Sequence, residues 1–487
     1  MESIELGPGL PVPETAPPQV SQQERLVQLL SAAGEHEAAG RFDEAEAVLG
    51  QLLSAAPNFP AALHLSGIVA FRKGRGPEAV EKIERAVAAE PQTALFHRNL
   101  CEIYRRSGRY DDAVVAGQRA ITLNPNDLYA YLNLSVLHYH RIELDAAIAS
   151  AEKALALDSN LPGAHFGIAE ASLLRGDFQR GWEEYEWRFR LASAAPLMPP
   201  TDRPQWDGNK LPSGATLLLI ADQGFGDCIQ FSRYIPWAAS LCPNIAVACA
   251  RDLQPVIEQQ AGIGQVFDRW EDKPDFAAFC PLSGLPRLAG TRLDTIPAAI
   301  PYLRADANTA AVWAQRLATL LPEGWRRIGI AWAGRPNHPN DDVRSIPLHA
   351  LAPLADIPGT ALISLQKGPG QAQIGTYWGH APLINLGPEI VNFSDTMAII
   401  DGLDLVVTVD TAVAHLAGAM GKPVWIMLPF APDWRWLLDR SDTPWYPTAR
   451  LFRQPAARQW APVIAAVGQE LARTATKGHK PAARARR

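Results

Sequence analysis

Three glycines, Gly40, Gly74 and Gly108, recur at a spacing of 34 residues. Each opens a similar motif: Gly40-Arg41-Phe42-Asp43-Glu44-Ala45, Gly74-Arg75-Gly76-Pro77-Glu78-Ala79 and Gly108-Arg109-Tyr110-Asp111-Asp112-Ala113. A weaker copy occupies residues 142–147, and Gly176-Asp177-Phe178 begins a fifth. Pro57, Pro91 and Pro125 keep the same period, and so do the small residues Ala33, Gly67, Cys101, Ser135 and Ala169. Independent residue classes sharing one period mark a repeated structural unit. The pattern predicts two antiparallel helices per unit, with small residues where helices cross closely and proline after the second helix. One such unit cannot bury its apolar face alone, so the copies must stack into a curved solenoid. About four full units and a modified fifth are expected over residues 22–190.

This is the tetratricopeptide pattern, and solenoids of that kind bind extended peptides in their concave groove. Asn99 and Asn133 stand 34 residues apart, each two residues before a small crossing residue, and are expected to face that groove. A primary amide offers both a donor and an acceptor, so it can pair with peptide backbone of any sequence. The pair resembles the asparagine ladder of the protein O-GlcNAc transferases, shortened to two rungs because Leu65 and Gly167 occupy the flanking positions. The alternative is that both are ordinary surface residues. In the fifth unit Trp182, Tyr185 and Phe189 fall on one helical stripe, which predicts a capping helix packed on the next domain. A proline-rich linker is expected over residues 191–213.

Bulk properties exclude several function classes. The chain has 487 residues, enough for about three domains, and its net charge of −6 implies no general affinity for nucleic acid. Its five cysteines are scattered, without zinc-ligand spacing or a disulfide framework. No apolar run approaches the roughly 20 residues that span a bilayer. Residues 1–21 are acidic and proline-rich, unlike a signal peptide, and are expected to be disordered. Residues 473–487 are basic and are expected to form a disordered tail. A cytoplasmic location fits these features best.

Residues 403–428 read as strand, tight turn, helix, glycine break and strand. A β-branched run, 405–409, ends at Asp410-Thr411, an alanine-rich helix follows, and Gly421 and Pro423 stop it. Ligands of open α/β sheets bind beyond the carboxyl ends of the strands. A helix opening there directs free N–H groups at a phosphate, Thr411 adds a hydroxyl, and His415 lies one turn on. The alternative is that Asp410 or Thr411 merely caps the helix. A second strand, 215–220, runs into Asp222-Gln223-Gly224-Phe225-Gly226-Asp227. Gly224 and Gly226 there permit positive φ and a close backbone approach. The third glycine of a dinucleotide fingerprint is absent, because Ile229 fills its place. Asp227 is placed to cap its own helix, which is the alternative to any chemical role for it or, more weakly, for Asp222.

The string Asp410-Thr411, His415-Leu416, Gly421 and Pro423 resembles the donor-site signature of the heptosyltransferase-like glycosyltransferases (family nine). The Gly224-to-Asp227 turn resembles that family's first loop. The resemblance covers roughly residues 22–460 when the repeats are included. It implies an α + α/β chain: a tetratricopeptide α-solenoid followed by a GT-B glycosyltransferase of two Rossmann-like domains, at 214–305 and 306–472. It further implies a nucleotide-sugar donor, no cofactor and no metal ion. Asp227 would be the base, with Gln223, Gly224 and Gly226 in the cleft loop. Asp410, Thr411 and His415 would face the donor. Arg344 either contacts the leaving diphosphate or forms a surface ion pair with Asp341 or Asp342. Gln366 and Lys367 are further candidate nucleotide contacts. Trp434 and Trp436, flanking Arg435, would stack on a base or sugar or else pack in the core. Residues 280–286 are expected to form a loop near the cleft, with Cys280 structural.

The expected function is an inverting, metal-independent transfer of a sugar to a protein held by the repeats, flagellin being one such acceptor in fused proteins of this kind. Two alternatives stand beside it: a heptosyltransferase-like enzyme of lipopolysaccharide or surface-glycan assembly, and a non-catalytic tetratricopeptide scaffold.

Overall fold

The computed structural model describes residues 21–191, 199–338, 340–379 and 382–478. The expected disordered N-terminus therefore lies outside the described residues apart from Ser21, as does the last part of the basic tail. The chain divides into two compact units, 1–137 and 138–487.

The 34-residue period becomes ten helices in five antiparallel pairs: α1 Gln22–Ala38 with α2 Phe42–Ala55, α3 Pro60–Arg72 with α4 Gly76–Ala89, α5 Ala94–Arg106 with α6 Tyr110–Leu123, α7 Leu128–His140 with α8 Leu144–Leu157, and α9 Pro162–Arg175 with α10 Phe178–Tyr185. The small crossing residues are all buried. At Gly67 a side chain would collide with Ile83. The turn inside each pair uses a left-handed residue: φ is 72°, 77° and 76° at Gly40, Gly74 and Gly108, and 91° at Gly176. In the fourth pair Ile142 takes that position at φ 61°, so the turn survives the loss of its glycine at the expense of steric strain. In the first unit Asn99 Nδ2 donates to His64 Nε2 at 2.9 Å, and Asn133 donates to the Arg98 carbonyl at 3.3 Å. Both are half-buried on first helices, with part of their amides already engaged.

The second unit holds two parallel sheets. The first has the order β3-β2-β1-β4, with β1 Thr216–Ile220, β2 Asn244–Ala248, β3 Ile263–Phe267 and β4 Ala278–Pro281. The second has the order β10-β9-β8-β5-β6-β7. Its strands are β5 Arg326–Ala331, β6 Thr360–Ser364, β7 Leu383–Asn385, β8 Leu405–Val409, β9 Val424–Leu428 and β10 Ala449–Arg453. Central strands such as β8 and β9 are buried along their whole length, which is why they read as unbroken apolar runs. Of residues 280–286, expected to be loop, Cys280 and Pro281 close strand β4 beside β1, and the remainder form short helical turns. Part of the expected linker is also folded: Trp206 is 2% exposed, and its backbone N–H donates to Phe279 O at 2.7 Å. The final helix, Trp460–Gly478, runs six residues beyond the expected domain end at 472.

Helices α9 and α10 belong to the body of the second unit. Trp434 is 1% exposed and is boxed by Phe178, Trp182 and Tyr185, with ring centroids 6.3, 5.2 and 6.2 Å away. Trp182 Nε1 donates to Thr291 O at 3.0 Å. Arg188, just after α10, is buried and donates to Ser283, whose hydroxyl in turn donates to Asp222. The solenoid pattern thus ends inside the sheet-bearing unit, and no boundary at residue 190 separates them. A chain starting at Leu128 should retain the near-ultraviolet circular dichroism of these packed tryptophans, whereas one starting at 191 should lose it; equal spectra would contradict this division.

Candidate functional site

The loops that follow β1 and β8 meet. The β1 loop leads into α11 Phe225–Phe231, and the β8 loop leads into the helix Ala412–Ala419. A Cβ on Gly226 would stand 2.7 Å from His415 Cδ2 and 3.5 Å from Ala412 Cα. Gly226 is therefore required for close helix approach. Neither loop glycine needs positive φ, contrary to the sequence expectation: Gly224 has φ −64°, and Gly226 is not among the left-handed residues. Gly224 is the N-cap of α11, so Asp227 lies within the first turn and does not cap it.

Asp227 is instead held by Arg435. Arg435 Nη2 lies 2.5 Å from Asp227 Oδ1, an electrostatic contact without the direction of a formed hydrogen bond. The same guanidinium donates to both Asp433 oxygens at 2.9 and 3.0 Å, and through Nε to Gln230 Oε1 at 2.6 Å. It lies 4.2 Å over the Trp434 ring. Burial works against the charged guanidinium, but Asp227 and then Asp433 outweigh it and keep Arg435 well above its usual value. Arg435 thus joins the loop after β9 to α11, a role the tryptophan-flanked sequence did not suggest. Trp434 and Trp436 are core residues at 1% and 0% exposure and do not present faces to a ligand.

The β8 side combines Asp410, Thr411 and His415. Thr411 is the N-cap of its helix but makes no capping bond; its hydroxyl lies 3.0 Å from that of Thr408. The capping alternative is therefore not what the structure displays, and the first turn of this eight-residue helix is half-open. His415 is buried, with Nδ1 2.9 Å from the Tyr446 hydroxyl and Nε2 3.9 Å from Asp410 Oδ1. Burial, then the charges of Arg435, Arg233 and Arg344, hold its imidazole well below the usual value, so it is neutral. Burial, and next the Asp433 charge, raise the Asp410 carboxyl, while Arg344 pulls it down. Arg344 Nε donates to Asp341 at 3.3 Å, and its terminal nitrogens form no hydrogen bond among the described residues. Asp342 pairs with Arg458.

Four sequence candidates are committed elsewhere. Gln366 accepts the N–H groups of Trp332 and Ala333 at 3.0 Å each and donates to Ala333 O and Lys367 O at 2.9 Å each. Every polar position of this amide is occupied by backbone, so it shapes the β5 loop and is not a nucleotide contact. Lys367 donates to Gly387 O and Ile390 O at 3.1 and 2.7 Å, which anchors the turn before residue 391. Asp222 is 2% exposed and accepts from the Ser283 N–H at 3.1 Å; burial raises its carboxyl, with Arg188 opposing. It is a structural tie, not a base. Gln223 exchanges hydrogen bonds with the Tyr185 hydroxyl at 2.9 and 3.3 Å, joining the β1 loop to α10. Cys280 is buried in β4, and burial pushes its thiol up, consistent with a structural role.

Glu170, on α9, was missed because nothing in its local sequence distinguishes it. Burial, then Asp433, push its carboxyl up to about 8, with Arg435 opposing.

Comparison with known proteins adds two matches of different reach. The tetratricopeptide repeat model matches residues 30–94, 65–127 and 99–162. The glycosyltransferase family 9 (heptosyltransferase) model matches residues 378–427. The chain carries both sequence signatures. The second spans Asp410, Thr411 and His415 and stops well short of Asp227. Protein FlbA of Caulobacter vibrioides is 28% identical over 333 residues, covering 63% of this chain and 54% of that protein. The chain thus spans about half the length of that curated relative. Among solved structures, MamA (22% identity, TM-score 0.30) covers 34% of this chain and 97% of its own. A thermophilic tetratricopeptide protein of Thermus thermophilus (24%, 0.31) covers 34% and 92%. PilF of Pseudomonas aeruginosa (19%, 0.33) covers 34% and 77%.

Two outcomes follow from this geometry. Gly226→Ala should destabilise the second unit by about 1–3 kcal/mol, as overpacking does, seen as a lower thermal midpoint; an unchanged midpoint would show that α11 and the 412–419 helix can separate freely. The second concerns Glu170, whose carboxyl is raised by burial and the Asp433 charge and opposed by Arg435. Its folded value lies above its unfolded value, so its contribution is complete below about pH 4.3 and is lost as pH rises through about 8. Glu170→Gln should flatten the fall in thermal midpoint between pH 5 and 9, with the raised Asp410 and Asp222 leaving a residual slope at the acid end.

Proposed function

We propose that this chain is a glycosyltransferase of GT-B plan, with each parallel sheet forming one Rossmann-like domain, that transfers a sugar from a nucleotide-sugar to a protein acceptor with inversion. The reading is carried by one observation: the loops at the carboxyl ends of β1 and β8 meet where Gly226 faces His415, which brings Asp227 and the uncapped helix beginning at Ala412 to the same cleft. The family 9 match over residues 378–427 supports the donor half. The tetratricopeptide repeats support a polypeptide acceptor, of which flagellin would be one kind.

In this mechanism the donor diphosphate lies at the first turn of the 412–419 helix, with Thr411 donating its hydroxyl. Arg344, whose charge already reaches Asp410 and His415, offsets the negative charge that grows on the departing diphosphate. His415 keeps the two loops in register and is not a direct ligand contact, since its nitrogens face Tyr446 and Asp410. Asp227 takes the proton of the acceptor hydroxyl; that oxygen bonds to the anomeric carbon, and the nucleoside diphosphate leaves with the electron pair. Arg435 fixes Asp227 in the cleft. The reading assigns charge stabilisation to Arg344 and helix N–H groups, without a metal.

Asp227→Asn should lower transfer by about 10²–10⁴-fold, the usual worth of a general base, while calorimetry with UDP, GDP, CDP and ADP finds nucleotide affinity unchanged. Transfer by that variant at the wild-type rate would remove Asp227 from the mechanism. Intact-mass spectrometry of proteins from cells with and without the chain reports sugar and acceptor together.

A further inference from the structure

One fully buried amide beside the candidate base is not explained by packing. Gln230, on α11, is 0% exposed. Its Oε1 accepts from Arg435 Nε at 2.6 Å, while its Nε2 is buried with no hydrogen-bond partner among the described residues. A leucine at this position would fill the same space without stranding a donor. Gln230 stands three residues after Asp227, so the two side chains share one face of α11. Both meet the same guanidinium: Arg435 Nη2 lies 2.5 Å from Asp227 Oδ1.

Nε and Nη2 form one edge of a guanidinium, and the spacing of their N–H groups matches that of the two oxygens of a carboxylate. Asp433 already takes Nη1 with both of its oxygens, at 2.9 and 3.0 Å. The remaining edge would suit Asp227 as a two-point pair. Gln230 fills Nε, so Asp227 reaches Nη2 alone. The other Asp227 oxygen, Oδ2, lies towards Gly224, where a Cβ would stand 3.0 Å from it, and it accepts no hydrogen bond among the described residues. The Asp227 side chain keeps 25% of its surface open. One carboxylate oxygen is thus held by charge, and the other retains its capacity to accept a proton.

We propose that Gln230 is a positioning residue for the base: by occupying Arg435 Nε it prevents Asp227 from seating both oxygens on that guanidinium, and so leaves Oδ2 for the proton of the acceptor hydroxyl. This rests on the transferase reading above. Without the amide, the buried Arg435 Nε would have no acceptor, and Asp227 is the carboxylate one helical turn away that can supply one. A carboxylate engaged at both oxygens by one guanidinium holds its lone pairs in charge-assisted hydrogen bonds and is a poorer proton acceptor. The stranded Gln230 Nε2 is the cost of keeping Asp227 half-engaged.

The test uses the full chain and reads three quantities. These are sugar added to host-cell proteins on co-expression, by mass spectrometry; affinity for UDP, GDP, CDP and ADP, by calorimetry; and the Asp227–Arg435 contact, by crystallography of wild type and variant. Gln230→Leu removes the amide and keeps its shape. Transfer should fall by about tenfold to hundredfold, part of the worth of a general base. Nucleotide affinity should stay unchanged, and Asp227 should be found with both oxygens on Nε and Nη2. Gln230→Met, a side chain that bends to fit, gives the same reading should the leucine variant fail to fold. Wild-type transfer by a folded variant overturns the assignment and leaves the transferase reading standing. A fall in transfer with Asp227 still on Nη2 alone, or with nucleotide affinity lost, also overturns it, since Gln230 would then serve the fold and not the base. A wild-type chain that adds no sugar and binds none of the four nucleotides removes the transferase reading and the role of Gln230 together.

Discussion

The buried Arg435 guanidinium is the interaction on which the second unit's cleft depends. It contacts Asp227 on α11, Asp433 in its own loop and Gln230 on α11, and it stacks on Trp434. A charge at 5% exposure is expensive to desolvate and is tolerated only when paired and hydrogen-bonded on several sides. Its two carboxylate partners come from elements that share no local sequence. Separating the loop after β9 from α11 would break the Asp227–Arg435 pair and leave the buried guanidinium with Asp433 as its one carboxylate partner. That penalty, more than any net attraction, fixes where Asp227 stands.

Around this charge cluster the molecule uses shape. Gly226 removes the one Cβ that would hold α11 away from the 412–419 helix, and His415 fills the resulting contact. Tyr446 occupies the other side of the imidazole. The aromatic box of Phe178, Trp182 and Tyr185 closes over Trp434. Helix pair α9–α10 therefore has a double membership: it keeps the 34-residue register of the repeats, yet its apolar face is spent on the sheet-bearing body. A terminal repeat must cover its outer face with something. Here the cover is a second fold, which explains why the compact units divide at 137 and 138 and not at the end of the repeat pattern.

Several elements of the candidate site were legible because their signal is local. A strand that ends in Asp410-Thr411 and a helix that begins at once specify a strand-to-helix turn without reference to the rest of the chain. The Gly224-to-Asp227 turn is equally local, though its glycines serve close approach and not positive φ. Gln366 and Lys367 were misread for the opposite reason. Their polar atoms are consumed by the backbone of Ala333, Gly387 and Ile390, and which carbonyls come within reach is a property of the folded loops. Asp222 was ambiguous in sequence and is resolved by Ser283 and Arg188, which approach from β4's end and from the repeat body. Arg435 and Glu170 carried no usable signal, since their meaning lies in partners distant along the chain.

By itself the sequence determined the helix pairs, the buried parallel strands and the strand-to-helix turns, since periodicity, β-branched runs and glycine or proline punctuation act over one or two turns of chain. It also marked the weaker copy of the repeat motif at residues 142–147, whereas the left-handed conformation of Ile142 is visible only in the structure. Tertiary structure alone decided which loops meet, that residues 278–281 become the edge strand beside β1, and that Arg435 is shared between two carboxylates. Those outcomes follow from long-range packing and the desolvation of charge, and both depend on which surfaces the whole chain buries against one another.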